Sequence, residues 1–438
     1  MANLLDYLKE SQFDSFYDRP LNKLDILALT ELAYLPFDSL VPADFTEKGV
    51  RIDQLAEDFA AKYQDEFPPF SMVTKSRLAM FQLLAQAKRF KHLRAFAYVD
   101  QYELDLQKQF AVISYRLDRQ TIVTCFRGTD DTIIGWKEDF HMTYMEEIPA
   151  QKSAKEYLEG LIGSQPGLFY ISGHSKGGNL ALYASSKLAA DLQERILQVY
   201  PYDAPGLHKK HLESPSYLML ADRVHPIIPQ NSVVGMMLET PDHVQIVQSN
   251  TIGLLQHISF SWEINGNDFK PAPALTEDSL QVDQTLKTWT ASLTEEELQE
   301  FFDLFFGLIM EAGIEKLADL TVNPLQKLQE IDRLRKELPD EKAQMLDKLS
   351  RLLIDTRYKI WLEGIYQNLP HTNFKLPQFS LHFPSPELKV PGFKNNTENY
   401  VNDRRKVHPD HFLRVHNFKF PDWNDWLRGP SDKKDKEN

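Results

Sequence analysis

Cysteine is nearly absent. Of 438 residues only Cys125 carries a thiol, so no intramolecular disulfide can form, which fits a reducing compartment. That thiol lies inside the apolar run IVTCF, where a small core residue is expected rather than a nucleophile. Long hydrophobic runs are missing as well. A membrane-spanning helix needs about 18 consecutive apolar residues, and the chain offers none. The opening MANLLDYLKESQFDSFYD has early acidic residues and no apolar h-region, so it does not read as a secretory signal. Positive charge is the third shortage. There are 49 Lys and Arg against 63 Asp and Glu, a net charge of −14. Such a balance argues against nucleic acid or an anionic membrane as a general partner. A cytoplasmic protein is expected. With 42% hydrophobic residues, it has enough apolar content for a substantial core.

Periodicity divides the chain into three parts. Residues 1–90 read as helices. Leu24, Ala28, Leu32 and Leu35 keep helical spacing before Pro36, and further segments cover Ile52 to Tyr63 and KSRLAMFQLLAQAKRF. These are expected to pack on a sheet rather than to form a mobile cap. From Leu93 the runs LRAFAYVDQYELD, KQFAVISYRL and TIVTCF read as successive strands, with Asp118-Arg119-Gln120 as a turn between the last two. Beyond residue 190, ILQVYPYDAPGL, SYLMLADRVHPIIP, SVVGMMLE and HVQIVQS each carry a strand-like apolar core. Residues 1–270 therefore form one α/β architecture with a mixed, mostly parallel sheet.

Helix returns over residues 275–370. Thr294-Glu295-Glu296-Glu297 has the form of a capping box. Leu298, Phe301, Phe302, Phe305 and Ile309 follow on one face, and Gly313 suits the C-terminal cap. The phenylalanine stripe is expected to be core; transient contact with a membrane surface is the alternative. Residues 371–438 lose the period. Their scattered Phe, Pro, Asn and His suggest an extended arm with a disordered terminus.

The chemistry concentrates in Gly167 to Ser185, GLFYISGHSKGGNLALYAS. A short apolar strand runs into Gly173-His174-Ser175-Lys176-Gly177, and a helix-forming run follows. Strand, G-x-S-x-G and helix in that order make the context of a nucleophile elbow, in which Ser175 stands exposed at the strand end. A serine hydroxyl needs a base to take its proton. His257, in the Q-H loop after HVQIVQSNTIGLL, leads; His225, His243 and His174 compete. His174 should point away from the serine hydroxyl. The acid should lie between serine and base in the chain. Asp222, ending SYLMLAD, is preferred, with Asp203 and Asp242 as alternatives. Two N–H donors for an oxyanion are expected from Lys176, directly after the nucleophile, and from Thr129 in the Arg127-Gly128-Thr129-Asp130 segment after TCF. No metal or organic cofactor is needed.

FRGTDD, with Trp136 and Asp139 downstream, and then GHSKGGNLALY resemble the fungal-type (class 3) lipases. In those proteins the FRGT segment supplies an oxyanion threonine or serine and GHSxGG carries the nucleophile. Asp222-Arg223-Val224-His225-Pro226 departs from the family's acid segment. LNKLDILALTELAYLPFDSLV, SVVGMML and QHISFSWEINGNDF make the chain more similar still to a bacterial family of lipase-like α/β-hydrolases (Mbeg-like). That resemblance covers about residues 1–370. It implies an α/β-hydrolase fold and a triad, not a substrate. The expected activity is cleavage of a small-molecule carboxylic ester, a lipid or acyl ester, through an acyl-enzyme on Ser175. A thioesterase or amidase using the same triad, or a non-catalytic binding protein on the same scaffold, are the rivals. The sequence does not fix the oligomeric state.

Overall fold

Alternation along two consecutive strands decides which helices lie on which side of the sheet. The computed structural model describes residues 2–63, 73–103, 105–129, 132–251, 253–316, 319 and 323–352. Its main sheet has eight strands in sequence order: β1 (Val50–Arg51), β2 (Arg94–Glu103), β3 (Lys108–Arg116), β4 (Thr121–Phe126), β5 (Leu168–His174), β6 (Ile196–Tyr202), β7 (Ile227–Pro229) and β8 (Gln245–Val247). The pairings from β1 to β4 are antiparallel, and those from β4 to β8 are parallel. Successive side chains of a strand face opposite sides. Ile113, Tyr115, Val123 and Cys125 accordingly join one core, while Phe110, Val112, Ile122 and Phe126 join the other. Burial pushes the Cys125 thiol up to about 12, so the lone cysteine is an inert core residue, as its run implied.

The first face is covered by α1 (Leu4–Ser11), α2 (Lys23–Leu32), α3 (Ile52–Tyr63) and α4 (Thr74–Gln86). In α2 every residue from Leu24 to Leu32 is buried, including Asp25 and Glu31. A buried carboxylate must be paired to be tolerated. Asp25 takes Arg89 at 2.6 Å, with both side chains fully buried. Glu31 takes Arg77 at 2.9 Å. The N-terminal helices are therefore fixed to the sheet by packing and to one another by two internal ion pairs, and they are not a cap.

The second face carries α6 (Pro149–Ser164) and α7 (Lys176–Lys187), while α5 (Ile133–His141) joins the C-terminal helices in a third core. Beyond the sheet come the helices Glu277–Ala291, Glu295–Glu311 and Pro324–Glu337. Thr294 and Glu297 make the expected capping box, and Gly313 takes φ +70° after the second of these helices. The phenylalanine stripe is core. Phe302 and Phe306 pack on Phe140 of α5, at ring distances of 4.8 and 5.6 Å. The stripe is rotated slightly from its expected register, because Phe306 is buried while Phe305 is 42% exposed. No helix among the described residues is long and apolar enough to cross a membrane. The expected arm over 371–438 and the end of the last helix lie outside the described residues.

Two expected strands do not form. SYLMLAD folds as a short helix, Pro215–Leu218, and a 3-10 turn, Ala221–Arg223; SVVGMM contributes a 3-10 turn, Val234–Met236. Ser214 caps the first of these through the Tyr217 N–H, with Pro215 at its first turn. That local signal outweighs the apolar content of the run. Only Ile227–Pro229 remains as β7.

Candidate active site

The strand end at β5 is forced into a turn that few residues can make. Ser175 holds φ +59° and ψ −134°, a region costly for a residue with a side chain. A Cβ on Gly173 would lie 2.1 Å from the backbone of Gly177, so the two elbow glycines exist to let the strand and helix backbones touch. The Ser175 N–H donates to Tyr202 O at 2.9 Å. This bond ties the elbow to the end of β6, one residue before Asp203. Helix α7 begins at Lys176, and its N-terminal dipole favours negative charge beside Ser175.

His257 closes a 3-10 turn, Gly253–His257. Gln256 builds this loop, since its Nε2 donates to Thr251 O at 2.8 Å and its Oε1 accepts from Asn231 N–H at 3.0 Å. The His257 ring retains 22% side-chain exposure, and its Nδ1 lies 2.6 Å from Asp203 Oδ2. A carboxylate there fixes the tautomer with the proton on Nδ1 and leaves Nε2 as the basic nitrogen. The other oxygen, Asp203 Oδ1, accepts from the Ser232 hydroxyl and from Gly235 N–H at 3.1 Å.

The carboxylate on His257 is therefore Asp203 and not Asp222. Asp222 is exposed on the 3-10 turn Ala221–Arg223, because the segment expected to end in a strand never becomes one. Asp203 instead follows β6, the strand next to the elbow, and its N–H is held by Ile227 O at 2.8 Å. Asp242 and His243 are exposed, and His225 packs on Tyr200.

The FRGT segment meets the elbow directly. A Cβ on Gly128 would fall 2.4 Å from His174 O and 2.9 Å from Ser175 Cβ, so glycine alone permits that approach. The next residue, Thr129, places its hydroxyl 2.7 Å from both oxygens of Asp139. Asp139 is buried on α5. Desolvation pushes its carboxyl up to about 7, against the pull of Lys176 and the Thr129 hydroxyl. Lys176 turns its side chain inward, where Nζ meets Glu138 Oε2 at 2.6 Å and Gln109 O at 2.9 Å. Only its backbone is left to face the elbow.

The structure thus gathers the Ser175 elbow, the Gly128–Thr129 loop and the Asp203–His257 pair at one end of the parallel strands, where ligands bind in open α/β sheets. It also gives contacts that the sequence did not foresee. His174 was expected to point away from the serine hydroxyl. Its ring stacks on His257 at 4.6 Å, and its Nε2 lies 2.9 Å from His257 O. Tyr34, Glu31 and Arg77 lie beneath it; the readable signal was a pair of acids, Asp25 and Glu31, within the apolar run of α2. Among the described residues no cluster of His, Cys, Asp and Glu is arranged to hold a metal.

No curated protein matches the chain. Among solved structures, the M37 lipase aligns at 15% identity with a TM-score of 0.30, over 48% of this chain and 68% of that one. A Rhizomucor miehei lipase, solved as its propeptide complex, aligns at 15% identity and TM-score 0.27, over 36% and 58%. The lipase from Rhizopus microsporus var. chinensis aligns at 13% and 0.28, over 47% and 81%. Likeness this loose says nothing of substrate. The Mbeg1-like family model matches residues 84–307, a span that runs from the end of α4 through strands β2 to β8, the elbow and His257 into the second C-terminal helix. That is more than half of the sequence, and the chain belongs to the Mbeg1-like family.

Proposed function

We propose that the protein is a serine hydrolase that cleaves a carboxylic ester, a lipid or acyl ester, through an acyl-enzyme on Ser175. The observation that carries this reading is the Asp203–His257 pair, 2.6 Å apart, beside a strained serine on a strand-to-helix elbow. A buried carboxylate, an imidazole in the Nδ1–H tautomer and a serine backed by a helix N-terminus are the parts that acyl transfer requires.

In this reading Nε2 of His257 takes the hydroxyl proton as Ser175 Oγ attacks the ester carbonyl. Asp203 holds the resulting imidazolium. The N–H groups of Lys176 and Thr129 receive the oxyanion. Asp139 accepts the Thr129 hydroxyl, which orients that residue and leaves its N–H as the donor. The imidazolium then protonates the departing alkoxide, and the alcohol leaves. Water, deprotonated by the same imidazole, attacks the acyl-enzyme; the acyl–Oγ bond breaks, the imidazolium returns its proton to Ser175 Oγ, and the acid leaves. No step calls on a metal or an organic cofactor.

The test is turnover of nitrophenyl and glycerol esters of increasing acyl length by the wild type and by Ser175→Ala. The proposal expects turnover that depends on Ser175 and a folded, inactive variant. Equal turnover by the two proteins would sink it.

A further inference from the structure

Three loops from separate strand ends must agree in position for such a site to work. They are the Gly128–Thr129 loop after β4, the elbow after β5 and the His257 loop after β8. A chain of hydrogen bonds runs through all three, and with a neutral His174 ring its donors run in one direction; the Tyr34 hydroxyl also reaches His174 O, at 3.4 Å. The His257 carbonyl can only accept, so His174 Nε2 carries the proton across their 2.9 Å contact. His174 Nδ1 is then a lone pair and accepts from the Tyr34 hydroxyl at 3.0 Å. The Tyr34 oxygen in turn accepts from Gly128 N–H at 3.2 Å. His174 must be neutral to play both parts. Burial, with help from the adjacent His257, pushes its pKa down to about 4.

Below this chain lies a buried clamp. Glu31 Oε1 accepts from Ser259 Oγ at 2.7 Å, two residues past His257. Glu31 Oε2 accepts from Arg77 Nε at 2.9 Å, and the Arg77 guanidinium sits 3.7 Å from the Tyr34 ring centre. Glu31, Tyr34, Arg77, His174 and Ser259 are all at most 5% exposed. Glu31 of α2, Tyr34 in the turn that follows it and Arg77 of α4 belong to a region that carries no group of the proposed chemistry. A buried ion pair whose surroundings fix its geometry is better suited to holding an arrangement than to adding stability.

We propose that Tyr34 and His174 are positioning residues, a hydrogen-bonded strap that sets the oxyanion loop and the base loop relative to one nucleophile turn. The inference rests on reading Ser175 as nucleophile and His257 as base. Reacting groups must be held to within about 0.5 Å, and a 1 Å misplacement costs on the order of a hundredfold in rate. The strap constrains the two loops that Asp203 alone does not tie together.

The experiment uses the full chain and a short nitrophenyl ester. Tyr34→Phe keeps the ring under Arg77 and removes the oxygen. It should lower kcat by about ten- to a hundredfold and leave KM within about threefold. His174→Phe keeps a ring against His257 without a donor and should lose a similar factor. His174→Gln, whose amide can still donate to the His257 carbonyl, should recover most of it. A purely structural role would instead lower the melting temperature in all three, with kcat per folded molecule unchanged. A readout independent of turnover is the spectrum of ¹⁵N-histidine-labelled protein. It should show His174 as the Nε2–H tautomer, and Tyr34→Phe should shift or broaden the His257 Nδ1–H resonance. Equal turnover by wild type and Ser175→Ala would defeat the hydrolase reading, and the spectra would then decide the strap alone. Ser175-dependent turnover with an unchanged kcat and an unmoved His257 resonance in Tyr34→Phe would overturn the strap.

Discussion

Asp203 Oδ2 and His257 Nδ1 are 2.6 Å apart although 54 residues separate them in the chain. Three features bring them together. The Tyr202 carbonyl is bound by the Ser175 N–H, the Asp203 N–H is bound by Ile227, and the His257 loop is shaped by Gln256. The carboxylate is 1% exposed and accepts from Ser232 and Gly235 as well, so its orientation is fixed before any substrate arrives.

Asp203→Asn should therefore reduce ester turnover by about three to four orders of magnitude, the cost of presenting the wrong histidine tautomer. Asp222→Asn, on an exposed turn, should stay within about twofold of wild type, as surface substitutions ordinarily do. Steady-state kinetics of the two variants decide between the carboxylates.

The preference for Asp222 rested on reading SYLMLAD as a strand, and an apolar run of that length cannot by itself be told from a helical turn. Ser214-Pro215 before it was the better guide. The rest of the candidate site was more legible. Glycine spacing marks the elbow because a Cβ on Gly173 would strike Gly177, and the strand-period alternation of β3 and β4 marks the two cores. The contacts of His174 with His257 and with Tyr34 were not legible. They depend on which way a ring turns and on a tyrosine 140 residues away in the chain, and no local pattern carries that.

Asp139 predicts a pH dependence of stability. Its carboxyl lies at about 7 in the folded protein, raised by burial from an ordinary value of 3.8. The folded state then binds the extra proton between those limits. Its contribution is fully present below about pH 4 and is lost as pH rises through about 7. Asp139→Asn removes that loss. The difference between wild-type and variant melting temperatures should move in favour of the variant from pH 4 to 8, and a flat difference would contradict the assignment.

His141 acts in the opposite sense. Burial, reinforced by Lys137, lowers its pKa to about 4 from 6.5. The unfolded chain takes up the proton first, so the stability it contributes is present above about pH 6.5 and is lost as pH falls through 4. His141→Gln should flatten that acid limb in urea titrations between pH 7 and 4.

The C-terminal helices should matter through α5. Phe302 is buried against Phe140, the residue after Asp139. Phe302→Ala should cost about 3–5 kcal/mol in chemical denaturation, as large aromatic truncations in cores do. Phe305→Ala, at a position 42% exposed, should cost less than about 1 kcal/mol. Similar losses for the two would contradict the packing.

The central claim is that Ser175 becomes covalently acylated. The most direct measurement is intact-mass and peptide mapping of the wild-type chain after treatment with a fluorophosphonate, beside Ser175→Ala and Asp203→Asn. The account predicts a single phosphonyl adduct on the peptide containing Ser175, none on Ser175→Ala, and labelling of Asp203→Asn slowed by orders of magnitude. No adduct on the folded wild type, or an adduct that survives in Ser175→Ala, would contradict it.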